Sequence, residues 1–418
     1  MLSRIAVDVT PLRASRDYRL LMLGALVTGL GTQAALVALP YQLYLETRSP
    51  FLTGLLGLVE LGPLITASLW GGALADRFDR RRLLLGCQVA LAAVAAALAA
   101  VTFAGHPPIG VLYVLAGAAA GASAVERVTR QAIVPNTVDR ELLPSAVSLT
   151  YGLYQLTQVA GPALGGVLIA WLGIGSAYLA DGLTCLGMTA AALAMSAQLP
   201  AGVDEHEPVL RSIRSGLGFV RRSQALVASF VIDLAAMTFG MPRALFPVLS
   251  VTVFHAGAAG TGALNAAVAV GATVAALTTG WMKNARRLGR ITILAVAAWG
   301  GAVAIAGLFH SIVLAALLFA LAGAADSVSA VCRGTIAQSV TPDHMRGRTS
   351  AVFSLVVAGG PRLGDVEAGA VGSAASPRFS VVSGGVTCVV AAGLIAVLFP
   401  ALLAYDARTA ATPEPVPA

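Results

Sequence analysis

Long apolar stretches, rather than any single motif, constrain this chain most. They recur from Leu20 to Leu403, and each has roughly the 20 residues that a helix needs to cross the hydrocarbon core of a bilayer. The composition agrees, because 57% of the residues are hydrophobic and 11% are charged, whereas about a quarter of the residues in a soluble domain are charged. Barrel strands would instead alternate apolar and polar residues over segments of about ten. The sequence therefore predicts an all-α integral membrane protein.

Short polar joints separate twelve such stretches. The predicted spans are Leu20 to Leu45, Phe51 to Leu74, Leu83 to Phe103, Ile109 to Val128, Ser145 to Trp171, Ser176 to Leu199, Ala225 to Leu249, Ala258 to Trp281, Ile291 to Phe309, Ile312 to Ile336, Ser350 to Ala374 and Phe379 to Leu403. The first stretch is too long for the apolar region of a cleaved signal peptide and lacks a small-residue cleavage site, so we expect it to remain as the first span.

Positive charge alternates from joint to joint. The arm before the first span and every second joint after it are basic, as at Arg80 to Arg82 and Arg211 to Arg222, whereas the remaining joints hold only Arg48 and Arg378. Cytoplasmic loops carry such an excess of cations. We therefore expect both termini to be cytoplasmic and the chain to lie in the bacterial cytoplasmic (inner) membrane. The net charge of +7 then reflects topology, and no nucleic-acid partner is predicted.

Cysteine, histidine and lysine usage argues against several classes of function. The cysteines have no paired spacing, all lie in predicted spans and are interpreted as packing residues, so neither a metal site nor a cofactor is predicted: they are Cys87, Cys185, Cys332 and Cys388. The five histidines all fall in joints, which leaves no histidine inside the membrane for an embedded enzyme. A phosphate-binding loop needs Lys after Gly, but Lys283 is the only lysine and follows Met282. An ATP-driven pump is therefore excluded.

An internal repeat divides the chain into two related halves. Ala116 to Thr129 aligns with Ala322 to Thr335, with most positions identical and with Arg127 opposite Arg333. The predicted domains are an N-terminal six-helix half at 1–199, a cytoplasmic linker with an amphipathic helix at 200–223, a C-terminal six-helix half at 224–403 and a disordered cytoplasmic tail at 404–418. Parallel repeats of this kind bind substrate near the bilayer midplane. The linker is expected to lie along the inner membrane surface as a tether.

The joint between the second and third spans carries a recognisable motif. It reads Gly72-Ala-Leu-Ala-Asp76-Arg77-Phe-Asp79-Arg80-Arg81-Arg82 and resembles the signature loop of the major facilitator superfamily, although Asp79 stands where that loop has Gly. A carboxylate at a helix C-terminus is disfavoured unless a cation or a helix N-terminus balances it. In the superfamily, the matching Asp meets the start of the eleventh helix when the cytoplasmic side is closed. The residues predicted for this inner gate are Gly72, Asp76, Arg77, Arg80, Glu126 and Arg127. Glu126 is expected either to pair with Arg77 or Arg80 or to extend to the membrane surface as an unpaired carboxylate.

A second motif lies in the fifth span. Gly161-Pro162-Ala-Leu-Gly165-Gly166 resembles the antiporter motif of proton-coupled exporters in the same superfamily. The alternative is a packing seam, because Pro lacks a backbone donor and glycines allow close approach of helices. The fourth span lacks the arginine of many drug exporters and has Tyr113 and Val114 in that region, which does not fit a standard multidrug antiporter.

The resemblance extends over nearly the whole chain. The stretches Arg16 to Leu21, Met241 to Pro247, Thr341 to Arg348 and Gly360 to Asp365 are similar to those of the group that contains enterobactin exporters, macrolide-efflux proteins and transmembrane secretion effectors. This resemblance implies a major facilitator fold and export from the cytoplasm driven by the proton gradient.

Charged residues inside the predicted spans are candidates for the transport machinery. Each costs on the order of 2.5 to 3.5 kcal/mol at a helix centre and therefore needs a partner or an aqueous cavity. Proton coupling is assigned to Asp326, Arg362, Asp365 and Glu367, with Asp326 and Arg362 as the expected buried pair and with Gly359 to Pro361 loosening the helix beside them. The residues expected to line the cavity are Glu60, Asp233 and Arg243.

These observations predict a proton-coupled secondary-active exporter of an amphipathic small molecule, either a siderophore-like metabolite or a drug. The expected partners are the small-molecule substrate, protons and the lipid bilayer, with the chain acting as a monomer. An importer of a small nutrient on the same fold is the nearest alternative. A non-transporting membrane sensor or an enzyme is the alternative from another class.

Overall fold

The computed structural model describes residues 8–200, 209–342 and 345–406, and every regular element within these ranges is helical. Eleven helical segments among the described residues are long and apolar enough to cross a membrane, with Gln224–Thr252 counted as one segment. The predicted eleventh span is also a long helix, Arg346–Ala374, but its charges, glycines and proline lower its hydropathy and keep it out of this set. The predicted tail after residue 406 and linker residues 201–208 lie outside the described residues.

The chain divides into two compact units. Unit 1 comprises Met1–Arg48, Leu58–His206 and His255–Ala266, and unit 2 comprises Ser49–Gly57, Glu207–Phe254 and Ala267–Ala418. Compared with the predicted halves, unit 1 therefore includes a short segment from the second half of the chain, and unit 2 includes one from the first half. A domain boundary in the linker at residue 199 stays a prediction.

Unit 1 is built mainly from the first seven helices. These are α1 (Thr10–Ala14), α2 (Arg16–Thr47), α3 (Pro50–Arg77), α4 (Arg80–Phe103), α5 (Ile109–Thr137), α6 (Leu143–Leu172) and α7 (Ile174–Ala194). Helix α7 packs against α2 and α4, α6 packs against α2, and α5 packs against α4. Tyr18, Leu84, Ile133 and Met188 belong to one apolar core cluster, where the Tyr18 hydroxyl donates to the Ala146 carbonyl at 2.7 Å.

Unit 2 contains the remaining helices, apart from the first part of α11, which belongs to unit 1. These are α8 (Val209–Val220), α9 (Gln224–Phe239), α10 (Phe246–Thr252), α11 (Gly257–Thr278), α12 (Leu288–Ala306), α13 (Ile312–Val340), α14 (Arg346–Ala374), α15 (Pro377–Leu398) and α16 (Pro400–Ala404). Helix α12 packs against α13 and α15, and α14 packs against α9 and α15. The contacts of α12 with α13 and α15 correspond to those of α4 with α5 and α7. The contacts of α14 with α9 and α15 correspond to those of α6 with α2 and α7. The two units thus repeat one packing arrangement, as the internal sequence repeat predicts.

The seventh span contains a helix break that the sequence did not predict, and the eleventh span lacks the irregularity that it did predict. Gly359 to Pro361 was expected to loosen the eleventh span, but α14 continues through Pro361, where neighbouring helices can compensate for a lost backbone hydrogen bond. The seventh span was expected to be continuous, but α9 ends at Phe239 and a 3₁₀ turn at Arg243–Leu245 precedes α10. The intervening Pro242 has no N–H to continue the helix.

The linker helix α8 packs against the bundle of its own unit. It contacts α14, and the backbone of Gly216 approaches the Arg348 carbonyl so closely that a side chain would not fit. Val220 and Phe219 join an apolar cluster with Leu226 and Phe230. The linker helix therefore packs closely against α14, whereas its role as a tether and its location at the membrane surface stay predictions.

Candidate functional site

The joint between α3 and α4 holds the predicted gate residues. The Arg80 guanidinium donates to the carbonyls of Ala75 at 3.0 Å and Ala132 at 2.9 Å, and it lies 3.9 Å from the carboxylate of Asp76. Arg80 thus supplies the cation that an acid at the end of α3 needs. Arg77 is exposed, and Gly72 has open space where a Cβ would point.

Glu126 has a different partner from the predicted one. Its carboxylate pairs with Arg130 at 3.1 Å, whereas the prediction paired it with Arg77 or Arg80. Glu126 and Arg130 are four residues apart on α5, so they share one helix face. Arg127 points to an exposed side of the same helix. The proposed gate is therefore centred on Asp76 and Arg80.

The motif of the fifth span forms a close helix contact. A Cβ at Gly165 would lie 2.6 Å from the Cα of Ala34 on α2, and one at Gly166 would lie 2.8 Å from the carbonyl of Ala258, all within unit 1. Gly161 meets Gln33 on α2 in the same way, and Pro162 lies inside the continuous helix α6. These contacts explain the small residues by packing, and an antiporter role for the motif stays a prediction.

A buried charge cluster lies in unit 2. The Arg333 guanidinium, 2% exposed, is 2.7 Å from the fully buried Asp233 carboxylate and donates to the Ser329 hydroxyl at 2.6 Å. Asp326, whose side chain is 22% exposed, lies 3.9 Å from the same guanidinium. One cation on α13 is therefore shared by two carboxylates, one from α9 and one from α13 itself.

The predicted pair of Asp326 with Arg362 is wrong. Asp326 pairs with Arg333, and Arg362 lies 3.9 Å from Asp365 on its own helix. Both residues lie inside predicted spans, but the direction in which a helix points its side chains depends on the rotation of the helix about its axis, which the position within a span does not give. Glu367 follows on α14 and is partly buried, and Glu60 on α3 is 5% exposed.

The break in the seventh span holds Arg243 at an exposed position. The Trp299 indole donates to the Gly240 carbonyl at 2.7 Å, and the Ala244 N–H donates to the Asp365 carboxylate at 3.2 Å. Backbone groups freed by the break are thus paired by α12 and α14. Arg243 is close enough to Asp326 and Asp365 to interact electrostatically with both.

An open groove of about 570 Å³ lies between α3 and α5 in unit 1. Its walls include Pro63, Trp70, Tyr113 and Val114, and the lining is mainly apolar with aromatic groups. Tyr113 and Val114 occupy the region where many drug exporters carry an arginine. The groove therefore fits the apolar part of a ligand rather than an anionic group.

Sequence reasoning missed Arg333 as a member of the site. It was only aligned with Arg127, yet Arg333 is buried and Arg127 is exposed. The available signal was the intramembrane Asp233, which requires a nearby cation. Since Arg333 lies in a predicted span, it was a candidate for that cation.

Solved transporters share this fold. A variant of the nucleoside transporter NupG aligns with a TM-score of 0.76 at 11% identity, over 92% of this chain and 100% of that chain. A bacterial homologue of the human lysosomal transporter Spinster aligns with a TM-score of 0.69 at 12% identity, over 94% of this chain and 96% of that chain. The chain therefore has the major facilitator fold of membrane transporters.

The family follows from the sequence comparison. The model of the transmembrane secretion effectors matches residues 6–417, so the chain belongs to this family. An enterobactin exporter EntS from Citrobacter koseri is 27% identical over 414 residues, which is 98% of this chain and 97% of the relative. EntS from Shigella boydii serotype 4 is 27% identical over 383 residues, 91% of each chain. The protein is a multi-pass membrane transporter and not an enzyme.

Proposed function

We propose that the protein is a proton-coupled exporter of an amphipathic small molecule in the bacterial cytoplasmic membrane. The observation that carries this proposal is the sharing of Arg333 by Asp233 and Asp326 inside unit 2. Relatives named as enterobactin exporters support the outward direction and suggest a siderophore-like cargo.

Asp326 is the carboxylate best suited to exchange a proton. Asp233 is fully buried and makes the short contact with Arg333, whereas Asp326 is partly exposed and its contact is longer. Charges that face Asp326 are those of Arg333, Asp233 and Arg243. Protonation of Asp326 removes one of the two anions that share Arg333, so the guanidinium is then balanced by Asp233 alone. Asp365, Arg362 and Glu367 on α14 remain the second candidates for coupling.

The change at Arg333 links proton binding to helix packing. Asp233 lies on α9, whereas Asp326 and Arg333 lie on α13, so the balance of charges affects how these two helices hold together. A ligand shifts a conformational equilibrium only by its difference in affinity for the two states. A proton that binds Asp326 from the outside and leaves to the cytoplasm thus drives the cargo outward.

Each unit contributes a feature suited to an amphipathic cargo. Unit 1 offers the apolar groove with Trp70 and Tyr113, and aromatic side chains supply large apolar contact surfaces. Unit 2 offers the exposed Arg243, whose side chain forms no ion pair among the described residues and carries five N–H donors. The groove suits a cargo with an apolar body, and Arg243 suits a cargo with oxygen acceptors; an amphipathic molecule has both properties.

The test uses purified protein in proteoliposomes with an imposed pH gradient and enterobactin as the first cargo. The wild type is expected to accumulate enterobactin against the proton flow. Asp326→Asn is expected to lose this accumulation while retaining exchange of cargo without a gradient. Asp365→Asn and Glu367→Gln test the second candidates, and Glu141→Gln, an exposed acid outside the spans, is the matched control.

Each alternative has its own outcome. Accumulation with the proton flow would favour the importer. Gradient-driven transport by all three coupling variants would reject these carboxylates as the proton site. If enterobactin is not moved, comparison of the secreted metabolites of wild-type and deletion strains by mass spectrometry identifies the cargo.

A further inference from the structure

The segment that leaves α7 is held in place at Gln198. Its side chain is 5% exposed, although Ala197 and Leu199 on either side are exposed. The Gln198 N–H donates to the Asp79 carboxylate at 2.9 Å, and its carbonyl accepts from the Arg80 N–H at 3.0 Å. Residues 195–199, which lead from α7 into the linker and which we call the start of the linker, are therefore attached to the joint between α3 and α4.

Asp79 has two roles at this point. Its carboxylate caps α4 by accepting from the Arg81 N–H at 3.0 Å, and the same oxygen accepts from Gln198. The side chain is 12% exposed. Its φ of −56° suits any residue, so this turn does not require the Gly of the superfamily motif. A glycine here would leave the Gln198 N–H without this acceptor.

The attachment extends into the helices around the joint. Arg80 also bonds the carbonyls at the end of α3 and on α5. The guanidinium of Arg81 donates to the carbonyls of Ala192 at 2.8 Å and Leu193 at the end of α7. On the other side of the segment, Asp17 at the start of α2 accepts from the Ser196 N–H at 3.1 Å. One hydrogen-bonded network therefore connects the linker start with residues 76–82, which we call the gate loop.

We infer that Asp79 is a positioning residue that makes the start of the linker part of the gate loop, so that the two move as one body during transport. Gln198 then fixes the position of the segment that follows α7 in the chain. The inference depends on the gate loop moving in transport and is independent of the proton site and of the cargo's identity.

Hydrogen exchange tests the attachment without any cargo. Asp79→Gly removes the acceptor yet keeps a residue that is itself favoured at an N-cap, and Asp79→Asn retains an acceptor oxygen while removing the charge. We expect exchange at the Gln198 amide to become up to about tenfold faster in the Gly variant, since one hydrogen bond is lost, and to stay slow in the Asn variant. Asp139→Gly, an exposed acid in the α5–α6 joint, is the control and should leave this amide unchanged.

Gln198→Pro tests the same hydrogen bond by removing its donor instead of its acceptor. It removes the N–H donor and leaves the cap of α4 intact, so the amide of Arg80, which donates to the Gln198 carbonyl, should also exchange faster. Unchanged exchange at Gln198 in Asp79→Gly, or at Arg80 in Gln198→Pro, would overturn the attachment.

Enterobactin uptake in proteoliposomes tests the functional consequence. In Asp79→Gly and Gln198→Pro we expect the maximal rate to fall about fivefold, because a conformational step is impaired, and Asp79→Asn should restore the rate. Faster exchange with an unchanged maximal rate would overturn the positioning role. If the wild type does not move enterobactin, the proposed cargo fails, whereas the exchange experiment still decides whether Asp79 holds the linker.

Discussion

At the scale of single residues, Arg333 has the most demanding environment in the described part of the chain. Its side chain is almost fully buried and is held by Asp233 and Ser329. Removing two charges from water is costly, so a buried pair contributes little net stability over an apolar pair of the same size. Removing one partner is worse, because the other charge is left without compensation. The pair is therefore better explained by a function than by stability.

Substitutions of Arg333 and Asp233 distinguish the loss of one partner from the replacement of both partners by apolar residues. We expect Arg333→Met to destabilise the protein by about 3–5 kcal/mol, because Asp233 loses its cation. Adding Asp233→Leu should recover most of this loss. Thermal and denaturant unfolding in detergent measure both changes. Arg130→Gln is the control, since its pair with Glu126 is less buried and i,i+4 pairs contribute only about 0.5 kcal/mol. Equal stability of Arg333→Met and the wild type would contradict the prediction.

The residues of the site could be listed from sequence more readily than they could be paired. Asp233, Asp326 and Asp365 stood out because charges are rare inside apolar spans. Their partners could not be predicted, because the direction in which a helix points its side chains is known only when its packing against neighbouring helices is known. Asp79 likewise stood out as a departure from a motif, but its partner Gln198 lies 119 residues further along the chain, and no local pattern indicates such a contact.

At the scale of elements, a break forms where neighbouring helices can pair the freed backbone groups. The seventh span is interrupted near Gly240, and Trp299 and Asp365 supply the missing donor and acceptor. The eleventh span contains Pro361 but remains helical. The glycines of α14 allow it to lie close to α9, and a Cβ at Gly364 would be 2.5 Å from the Met237 carbonyl. The continuous helix α14 thus packs closely against the seventh span, which is itself interrupted.

Two glycines of α14 test the role of this contact. Gly364→Ala should destabilise the protein by about 1–3 kcal/mol, because the added methyl group overpacks the contact with α9. Gly359→Ala is the matched control, since no atom lies within 4 Å of its added Cβ and Ala favours a helix over Gly by about 1 kcal/mol. Unfolding of both variants in detergent measures the difference. Equal stability of the two variants would show that the close approach contributes nothing.

Spans were predictable from sequence, but several helix ends were not. The fourth span was predicted to end at Val128, yet α5 continues to Thr137 and includes Pro135. The tenth was predicted to end at Ile336, and α13 continues to Val340. Hydropathy detects the part of a helix that lies in lipid, whereas backbone hydrogen bonds can continue the helix into polar surroundings.

At the scale of the whole molecule, the two units share a packing arrangement but differ in charge. The aligned segments Ala116 to Thr129 and Ala322 to Thr335 lie in α5 and α13, which have equivalent places in the repeated packing arrangement. Within those segments, Arg127 is exposed in unit 1, whereas Arg333 is buried beside two carboxylates in unit 2. The signature motif with Asp76 occurs in unit 1. The repeat therefore provides a common frame, and we propose that unit 1 contributes the gate loop and unit 2 the proton site.

Cysteine labelling tests the orientation that this arrangement requires. The alternating basic joints predict that cysteines at Ser49 and Ala256 react from outside with a membrane-impermeant maleimide, whereas cysteines at Asp139 and Arg286 react only after the membrane is opened. The four native cysteines are buried and should give a low background, which the unsubstituted protein measures. Each substitution changes at most one charge, so the excess of cations on the predicted cytoplasmic side remains. Labelling of Asp139→Cys from outside, or protection of Ser49→Cys in intact cells, would reverse the topology and with it the outward direction assigned to the cargo.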